Sequence, residues 1–211
     1  MKKSKVEIKI CGITNVETAL ASHGAEYVGL VFYSKSSRHV SLPTAEKIIS
    51  SLSKNQKKVG LFVNSKINII KEISDHLDLD FIQLHGYEDI KFIQRLRLIT
   101  NRKIIKAVPI KTIEDIKISE EFKNLCDMIL FDTKSENQFG GSGKSFEWKL
   151  LENFNWGKKW MIAGGLNINN VKEAIEISKA PVVDISSGVE KKLGVKCENK
   201  VKNFIKFIKK L

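Results

Sequence analysis

Short apolar runs rich in β-branched residues recur along the chain at nearly even intervals. They span residues 7–11, 27–32, 58–63, 81–85, 103–109, 128–133, 160–164 and 181–186. Each run has the length and composition of a buried β-strand. Segments with helical periodicity lie between them, most clearly over residues 44–52, 67–77 and 169–178, and an amphipathic segment covers residues 198–211. This alternation predicts an α/β fold with a parallel sheet.

The number of strand–helix units favours a closed barrel over an open sheet. We predict a single (β/α)8 TIM barrel that forms one domain over residues 1–211, because a doubly wound open sheet more commonly has about five or six strands. An open dinucleotide-binding sheet would also carry Gly-x-Gly-x-x-Gly after its first strand. The first run here leads instead into Cys11-Gly12-Ile13.

The net charge of +12 raises the question of nucleic-acid binding, and its distribution argues against it. Residues 1–9 contribute +3 and residues 189–211 contribute +6, so residues 10–188 carry only +3. The basic residues are 32 Lys and 4 Arg, although base reading favours Arg for its bidentate contacts. We therefore expect no nucleic-acid partner. A non-catalytic basic module that binds nucleic acid remains the alternative from a different class of protein.

The remaining composition indicates the compartment. No run approaches the roughly 18 apolar residues of a membrane helix, so we expect no membrane association. Glu7 and Lys9 interrupt the apolar stretch that would have to follow a basic export signal. The 3 cysteines are too few and too scattered for a disulfide framework or a zinc site. These features predict a cytoplasmic protein without a metal.

Four chemically capable residues stand at the carboxyl ends of predicted strands, where barrel enzymes carry their chemistry. The alternation of side chains along a strand turns Cys11, His85, Asp132 and Asp184 towards the barrel interior at one mouth. Each has a structural alternative: an inert core thiol, a hydrogen-bonded histidine, or an aspartate that caps a turn. Because all four share one mouth, we interpret them as a site.

Two loops that contain glycine follow the last two predicted strands, at residues 163–166 (Ala-Gly-Gly-Leu) and 186–189 (Ser-Ser-Gly-Val). Small residues allow backbone N–H groups to surround an anion, and these loops are the usual phosphate site of a barrel. The predicted phosphate-binding residues are Gly164, Gly165, Ser186, Ser187 and Gly188.

Two further loops carry candidate binding residues. Arg38 is an arginine in a lysine-rich chain, which suggests that its planar guanidinium grips a carboxylate; the alternative is a solvated surface arginine. The stretch Gly140-Gly-Ser-Gly-Lys-Ser145 resembles a P-loop but has Gln138 where the first glycine is required. We interpret residues 134–144 as a loop that covers substrate, with Gly141 as a binding residue, and a plain connection as the alternative.

The order and spacing of these motifs resemble the phosphoribosylanthranilate isomerase family over nearly the whole chain. The matching motifs lie at residues 9–14, 29–32, 37–41, 59–64, 83–86, 131–133, 140–144, 164–166 and 184–189. The resemblance implies a (β/α)8 barrel that acts in tryptophan biosynthesis. Its reaction is the Amadori rearrangement of N-(5-phosphoribosyl)anthranilate to 1-(o-carboxyphenylamino)-1-deoxyribulose 5-phosphate, with no metal or organic cofactor.

The resemblance also implies roles for individual residues. Asp132 resembles the general acid that protonates the ribose ring oxygen, and Cys11 the general base that removes the C2 proton. Arg38 resembles the group that binds the anthranilate carboxylate, while His85 and Asp184 line the pocket. A thiol acts as a base only when ionised, so we expect Lys9 and the phosphate site to lower the pKa of Cys11 from about 8.5.

One position departs from the family pattern. Members often carry Gly-x-Lys-Asp where this chain reads Gly194-Val-Lys-Cys197, and cysteine is a poor helix cap.

The nearest rival functions are the related histidine-pathway isomerase, which would use two carboxylates, and a pentose-phosphate epimerase, which would need metal-ligand histidines. The expected partner is a small phosphosugar that bears an anthranilate group, and the expected state is a monomer, with a dimer left open.

Overall fold

Eight parallel strands close into a barrel in the order of the chain, β1 to β8, in a computed structural model that describes residues 6–133 and 147–211. The strands are β1 (Glu7–Cys11), β2 (Tyr27–Val31), β3 (Lys57–Phe62), β4 (Phe81–Leu84), β5 (Lys103–Ile110), β6 (Met128–Thr133), β7 (Trp160–Ile162) and β8 (Val182–Ile185). Pairing of β8 with β1 completes the ring and sets Lys9 opposite Asp184. The predicted (β/α)8 fold is confirmed.

Helices follow seven of the eight strands in the described residues. They are α1 (Val16–Ala21), α2 (Leu42–Ser50), α3 (Ile67–His76), α4 (Ile90–Arg97), α5 (Ile113–Ser119), α6 (Val171–Ser178) and α7 (Glu198–Ile208). Between β6 and β7 the described residues form a 3-10 turn, Trp148–Leu151. The predicted covering loop at residues 134–144, and Gly141 with it, lies outside the described residues.

The helix boundaries differ from the predicted ones where capping decides them. Helix α2 begins two residues earlier than its periodicity indicates, because the Ser41 side chain accepts a hydrogen bond from Thr44 N and Pro43 suits the first turn. Helix α6 begins later, since Asn170 first accepts a hydrogen bond from Asn167 N at 2.8 Å. Helix α7 begins after Cys197, whose side chain makes no capping hydrogen bond.

A short hairpin between β8 and α7 has no counterpart in the predicted pattern. Its strands are β9 (Glu190–Lys192) and β10 (Val195–Lys196), and they pair antiparallel. A Cβ at Gly194 would come within 2.4 Å of the carbonyl oxygen of Ser37, so the hairpin turn lies directly against the loop after β2. The hairpin therefore brings the β8 side of the barrel into contact with the β2 side.

Alternating side chains divide the core into two layers. Outward residues such as Ile8, Ile129 and Val183 pack beneath the helices, and inward residues such as Ile105 and Met161 fill the barrel. At the carboxyl ends of the strands, polar side chains join a smaller apolar cluster of Cys11, Val31, Leu61 and Val63. Within the described ranges, no helix is both long enough and apolar enough to cross a membrane.

Candidate active site

A pocket opens at the carboxyl ends of the strands, above the inner core layer. Its lining includes Cys11, Arg38, Gln83, His85, Asp132, Gly164, Gly165, Asp184, Ser186 and Ser187. The structure thus brings together nine of the residues that the sequence singled out and adds Gln83. Gly188 lies in the loop immediately beyond Ser187.

The Cys11 thiol lies at the end of β1 and is almost fully buried. Its space is provided by Gly29 on the neighbouring strand, where a Cβ would lie 2.9 Å from Cys11 Sγ. Two residues earlier on the same face, Lys9 is 0% exposed, and its Nζ contacts Asp184 Oδ2 at 2.9 Å. A buried ion pair therefore lies directly beneath the thiol.

The ionisation of this group corrects one expectation from the sequence. Burial raises the pKa of the Cys11 thiol, and Asp184 adds to the effect, while Lys9 opposes it without offsetting it. Burial also disfavours the Lys9 ammonium, but Asp184 and Cys11 outweigh this cost and raise the pKa of Lys9. Lys9 acts to lower the pKa of Cys11, as expected, and Lys196 acts in the same direction, but the net shift is upward, because the loss of water outweighs two lysines that are each already paired to a carboxylate.

A chain of polar contacts crosses the opposite wall of the pocket. The Gln83 amide Nε2 donates to His85 Nδ1 at 2.9 Å, and His85 Nε2 lies 3.3 Å from Asp132 Oδ2. Because an amide nitrogen can only donate, Nδ1 accepts, and a neutral His85 carries its proton on Nε2, facing Asp132. Asp132 Oδ1 accepts from the amide of Thr133 at 2.8 Å. Both carboxylate oxygens are therefore oriented.

Two buried oxygen atoms at the pocket have no hydrogen-bond partner among the residues that the structure describes. They are Asp184 Oδ1 and Gln83 Oε1. Native proteins rarely leave buried polar atoms unpaired, so these two acceptors on pocket-lining residues are candidates for a hydrogen bond from a ligand. A sugar, with its several hydroxyl groups, offers donors of the required kind.

The two glycine loops pack against each other at the pocket rim. Gly164 has φ of +84°, and a Cβ there would come within 2.1 Å of Thr133 Oγ1. A Cβ at Gly188 would come within 2.0 Å of the carbonyl oxygen of Leu166. Residues Ser187–Val189 form a 3-10 turn, and the first N–H groups of such a turn have no partner within it. The arrangement provides a rim of backbone donors.

Arg38 is buried at the pocket, but the carboxylate that it grips belongs to the protein. Its Nε donates to Glu190 Oε1 at 2.7 Å and its Nη2 to Glu190 Oε2 at 3.0 Å.

Sequence reasoning missed Glu190 and its second partner Lys196, because the short hairpin that carries them has no periodicity. The shared parity of Gln83 with His85 would have identified Gln83 as a member of the site.

The fold and the site together define a class of protein: a parallel-barrel enzyme with a thiol, a carboxyl group and a rim of backbone donors at its mouth. Within the described residues, no group of three or more His, Cys, Asp and Glu side chains is placed to hold a metal. A family model described as N-(5'-phosphoribosyl)anthranilate isomerase matches residues 8–207. The chain belongs to this family.

Relatives and solved structures agree with that assignment. The chain is 45% identical over 206 residues to the isomerase of Aquifex aeolicus, which covers 95% of this chain and 97% of the relative. The phosphoribosylanthranilate isomerase structure from Thermotoga maritima has a TM-score of 0.88 at 36% identity and covers 98% of this chain and all of its own. The fold and family make the chain an aldose–ketose isomerase, an intramolecular oxidoreductase, of tryptophan biosynthesis.

A second solved structure similar to this chain contains a ligand. It is a phosphoribosylanthranilate isomerase in complex with reduced 1-(o-carboxyphenylamino)-1-deoxyribulose 5-phosphate. Its TM-score is 0.83 at 35% identity, and it covers 98% of this chain and 100% of its own.

Proposed function

We propose that the chain converts N-(5-phosphoribosyl)anthranilate to 1-(o-carboxyphenylamino)-1-deoxyribulose 5-phosphate, with Asp132 as general acid and Cys11 as general base. The observation that most supports this proposal is that the carboxyl group of β6 and the thiol of β1 line one pocket. A similar enzyme binds the reduced form of this product. The reaction requires an acid and a base at two atoms of one sugar, and two separate strands supply them.

In the first step, Asp132 donates a proton to the ribose ring oxygen, the C1–O bond breaks, and the nitrogen lone pair forms a Schiff base. In the second, the Cys11 thiolate removes the C2 proton, and the electron pair moves to the nitrogen to give an enolamine, which tautomerises to the ketone. Each proton transfer by a positioned group is worth about 10²–10⁴-fold in rate. The two residues together therefore supply the catalytic chemistry of the proposal.

The remaining pocket residues bind the substrate in this proposal. The rim formed by Gly164, Gly165, Ser186, Ser187 and Gly188 holds the phosphate through backbone N–H groups. Arg38 contacts the anthranilate carboxylate through the guanidinium edge that Glu190 does not occupy. Asp184 Oδ1 accepts a hydrogen bond from a ribose hydroxyl, and His85 orients Asp132. Gly141, predicted from the glycine-rich stretch to bind substrate, lies outside the described residues and stays a prediction.

An anthranilate-fluorescence assay on substrate generated in situ tests the function. The folded protein is expected to abolish the substrate fluorescence far faster than the uncatalysed reaction does. A rate equal to the uncatalysed one, from protein with native circular dichroism, would overturn the proposal. A monomeric state and a single domain over residues 1–211 stay predictions, which sedimentation and limited proteolysis can check.

A further inference from the structure

One buried carboxylate joins two cations at the mouth of the pocket. Glu190 Oε1 accepts hydrogen bonds from Arg38 Nε at 2.7 Å and from Lys196 Nζ at 2.8 Å. Glu190 Oε2 accepts from Arg38 Nη2 at 3.0 Å and from the amide of Gly194 at 3.1 Å. Four donors from three residues therefore saturate this carboxylate and hold it in one orientation.

Each of the two cations also contacts a different part of the site. Lys196 Nζ donates to the backbone oxygen and to Oγ of Ser186, both at 3.1 Å, at the start of the turn proposed to bind phosphate. Arg38 itself lines the pocket, and its methylene groups pack so closely on Gly12 that a Cβ there would lie 2.6 Å from Arg38 Cδ. Glu190 is the group that both cations share.

Glu190 offsets part of the positive charge of the two buried cations. Arg38, Glu190 and Lys196 are all buried, with exposed fractions of 9%, 8% and 3%. Burial alone would raise the pKa of the Glu190 carboxyl, but Arg38 and Lys196 hold it below its ordinary value. Burial lowers the pKa of Lys196, although Glu190 opposes that effect. Without the carboxylate, two cations would lie close together in a poorly hydrated environment.

We propose that Glu190 is a positioning residue for two anion-binding groups, holding the guanidinium of Arg38 for a carboxylate and, through Lys196, the Ser186 loop for a phosphate. This inference rests on the proposed function and explains why the site suits a doubly anionic molecule. Preorganised groups bind more tightly because less freedom is lost on binding. One carboxylate then fixes the positions of both groups relative to each other.

The chain offers a matched control in Glu88. Glu88 is also buried, and its Oε2 accepts hydrogen bonds from Lys106 Nζ at 3.0 Å and from the amide of Gly86 at 2.9 Å. Neither Glu88 nor its partners Lys106 and Gly86 line the pocket, whereas Glu190 is hydrogen-bonded to Arg38, which does. Replacing either glutamate by glutamine therefore removes the same charge from a similar environment, and only one replacement touches the site.

The test compares Glu190→Gln with Glu88→Gln. For Glu190→Gln we expect KM to rise about ten-fold or more and kcat to stay within about three-fold, the signature of lost ground-state binding. Isothermal titration with inorganic phosphate, and fluorescence titration with anthranilate, should both show weaker binding than in the wild type. Glu88→Gln should leave KM and both titrations unchanged.

Several results would overturn the inference. Unchanged KM in Glu190→Gln, a loss confined to kcat, or weaker binding of only one of the two anions would each show that Glu190 does not position both anion-binding groups. If Glu190→Gln does not fold, Glu190→Asp is measured instead, because it keeps the charge but shortens the side chain by one methylene group. The inference then requires Glu190→Asp to show the same rise in KM and weaker binding of both anions. An inactive wild type would contradict the proposed function, while the two titrations would still decide the role of Glu190.

Discussion

Two of the buried lysine–carboxylate pairs in this barrel, Lys9–Asp184 and Lys106–Glu88, differ in what else their atoms contact. Lys9 contacts Asp184 at 2.9 Å inside the barrel, and Lys106 contacts Glu88 at 3.0 Å on the outer side of β5. Lys106 also donates to Gly86 O at 2.6 Å, and both oxygens of Glu88 accept backbone N–H groups. Asp184 instead keeps one oxygen unpaired at the pocket, among the described residues.

The difference separates a pair that is fully bonded within the protein from one that keeps an acceptor for a further partner. A pair whose hydrogen-bonding capacity is saturated by its own loops holds those loops together, here the ones after β3 and β4. A pair with an unpaired acceptor beside a cavity carries a cost that a ligand donor can remove. Burial and ion pairing alone do not distinguish the two, since both pairs have them. The unpaired oxygen does.

The largest expected effect lies at the pocket. Cys11→Ala and Asp132→Asn should each lower kcat by about 10²–10⁴-fold, because each removes a proton-transfer group. Their urea unfolding midpoints should stay close to that of the wild type, and Glu88→Gln should keep most of its kcat at a temperature where it is folded. A Cys11 or Asp132 variant that retained most of its turnover would exclude that residue from its proposed role.

The outer pair should show the opposite behaviour. Glu88→Ala leaves the Lys106 ammonium and two backbone N–H groups without their acceptor, and breaking such a buried pair costs about 3–5 kcal/mol of unfolding free energy. The assay is denaturant unfolding, with KM measured on the folded fraction. If Glu88→Ala raised KM while leaving stability intact, the division between the two pairs would fail.

Lys9 offers a finer test that uses pH. Because burial raises the pKa of Cys11, the thiol is mostly protonated at neutral pH, and kcat/KM should rise as the pH increases and the thiolate forms. The groups that face the thiol are Lys9, Asp184 and Lys196, with Arg38, His85 and Asp132 around the same pocket. Removing the nearest cation in Lys9→Met should move the rise of kcat/KM to higher pH.

The ionisation of the Cys11 thiol can also be measured by alkylation, which does not require the enzyme to turn over substrate. The rate of Cys11 modification by iodoacetamide, followed by peptide mass spectrometry so that Cys126 and Cys197 are counted separately, should rise with pH in the wild type. Lys9→Met should shift that rise to higher pH, and Lys106→Met should not shift it. Equal pH profiles in the wild type and Lys9→Met would show that Lys9 does not stabilise the thiolate.

The sequence predicted those parts of the molecule that repeat. Each of the eight apolar runs matches a strand to within two residues at either end, because a buried strand needs a continuous set of apolar side chains. Strand parity likewise indicated that Cys11, Asp132 and Asp184 would share one mouth. These features follow from local pattern and the geometry of a barrel.

The features that escaped prediction depend on long-range contacts. Arg38 and Glu190 are separated by 152 positions in the chain, and the three- and two-residue strands of the hairpin are too short to show a period. The direction of the Cys11 pKa shift depends on how completely water is excluded and on the prior engagement of Lys9 with Asp184. Neither quantity can be estimated from the neighbours of Cys11 in the sequence.

The smallest expected effect lies at Cys197, away from the pocket and from both pairs. Cys197 precedes α7 without a side-chain hydrogen bond, so Cys197→Asp supplies an acceptor for the free N–H groups of the first turn and should stabilise the fold by about 1 kcal/mol. For a chain of this length that corresponds to roughly 2–4 °C in Tm. Cys197→Asn, which caps without a charge, separates hydrogen bonding from the helix dipole. Neither variant should change kcat/KM, because α7 stabilises the barrel from outside while the catalytic groups depend on contacts within its mouth.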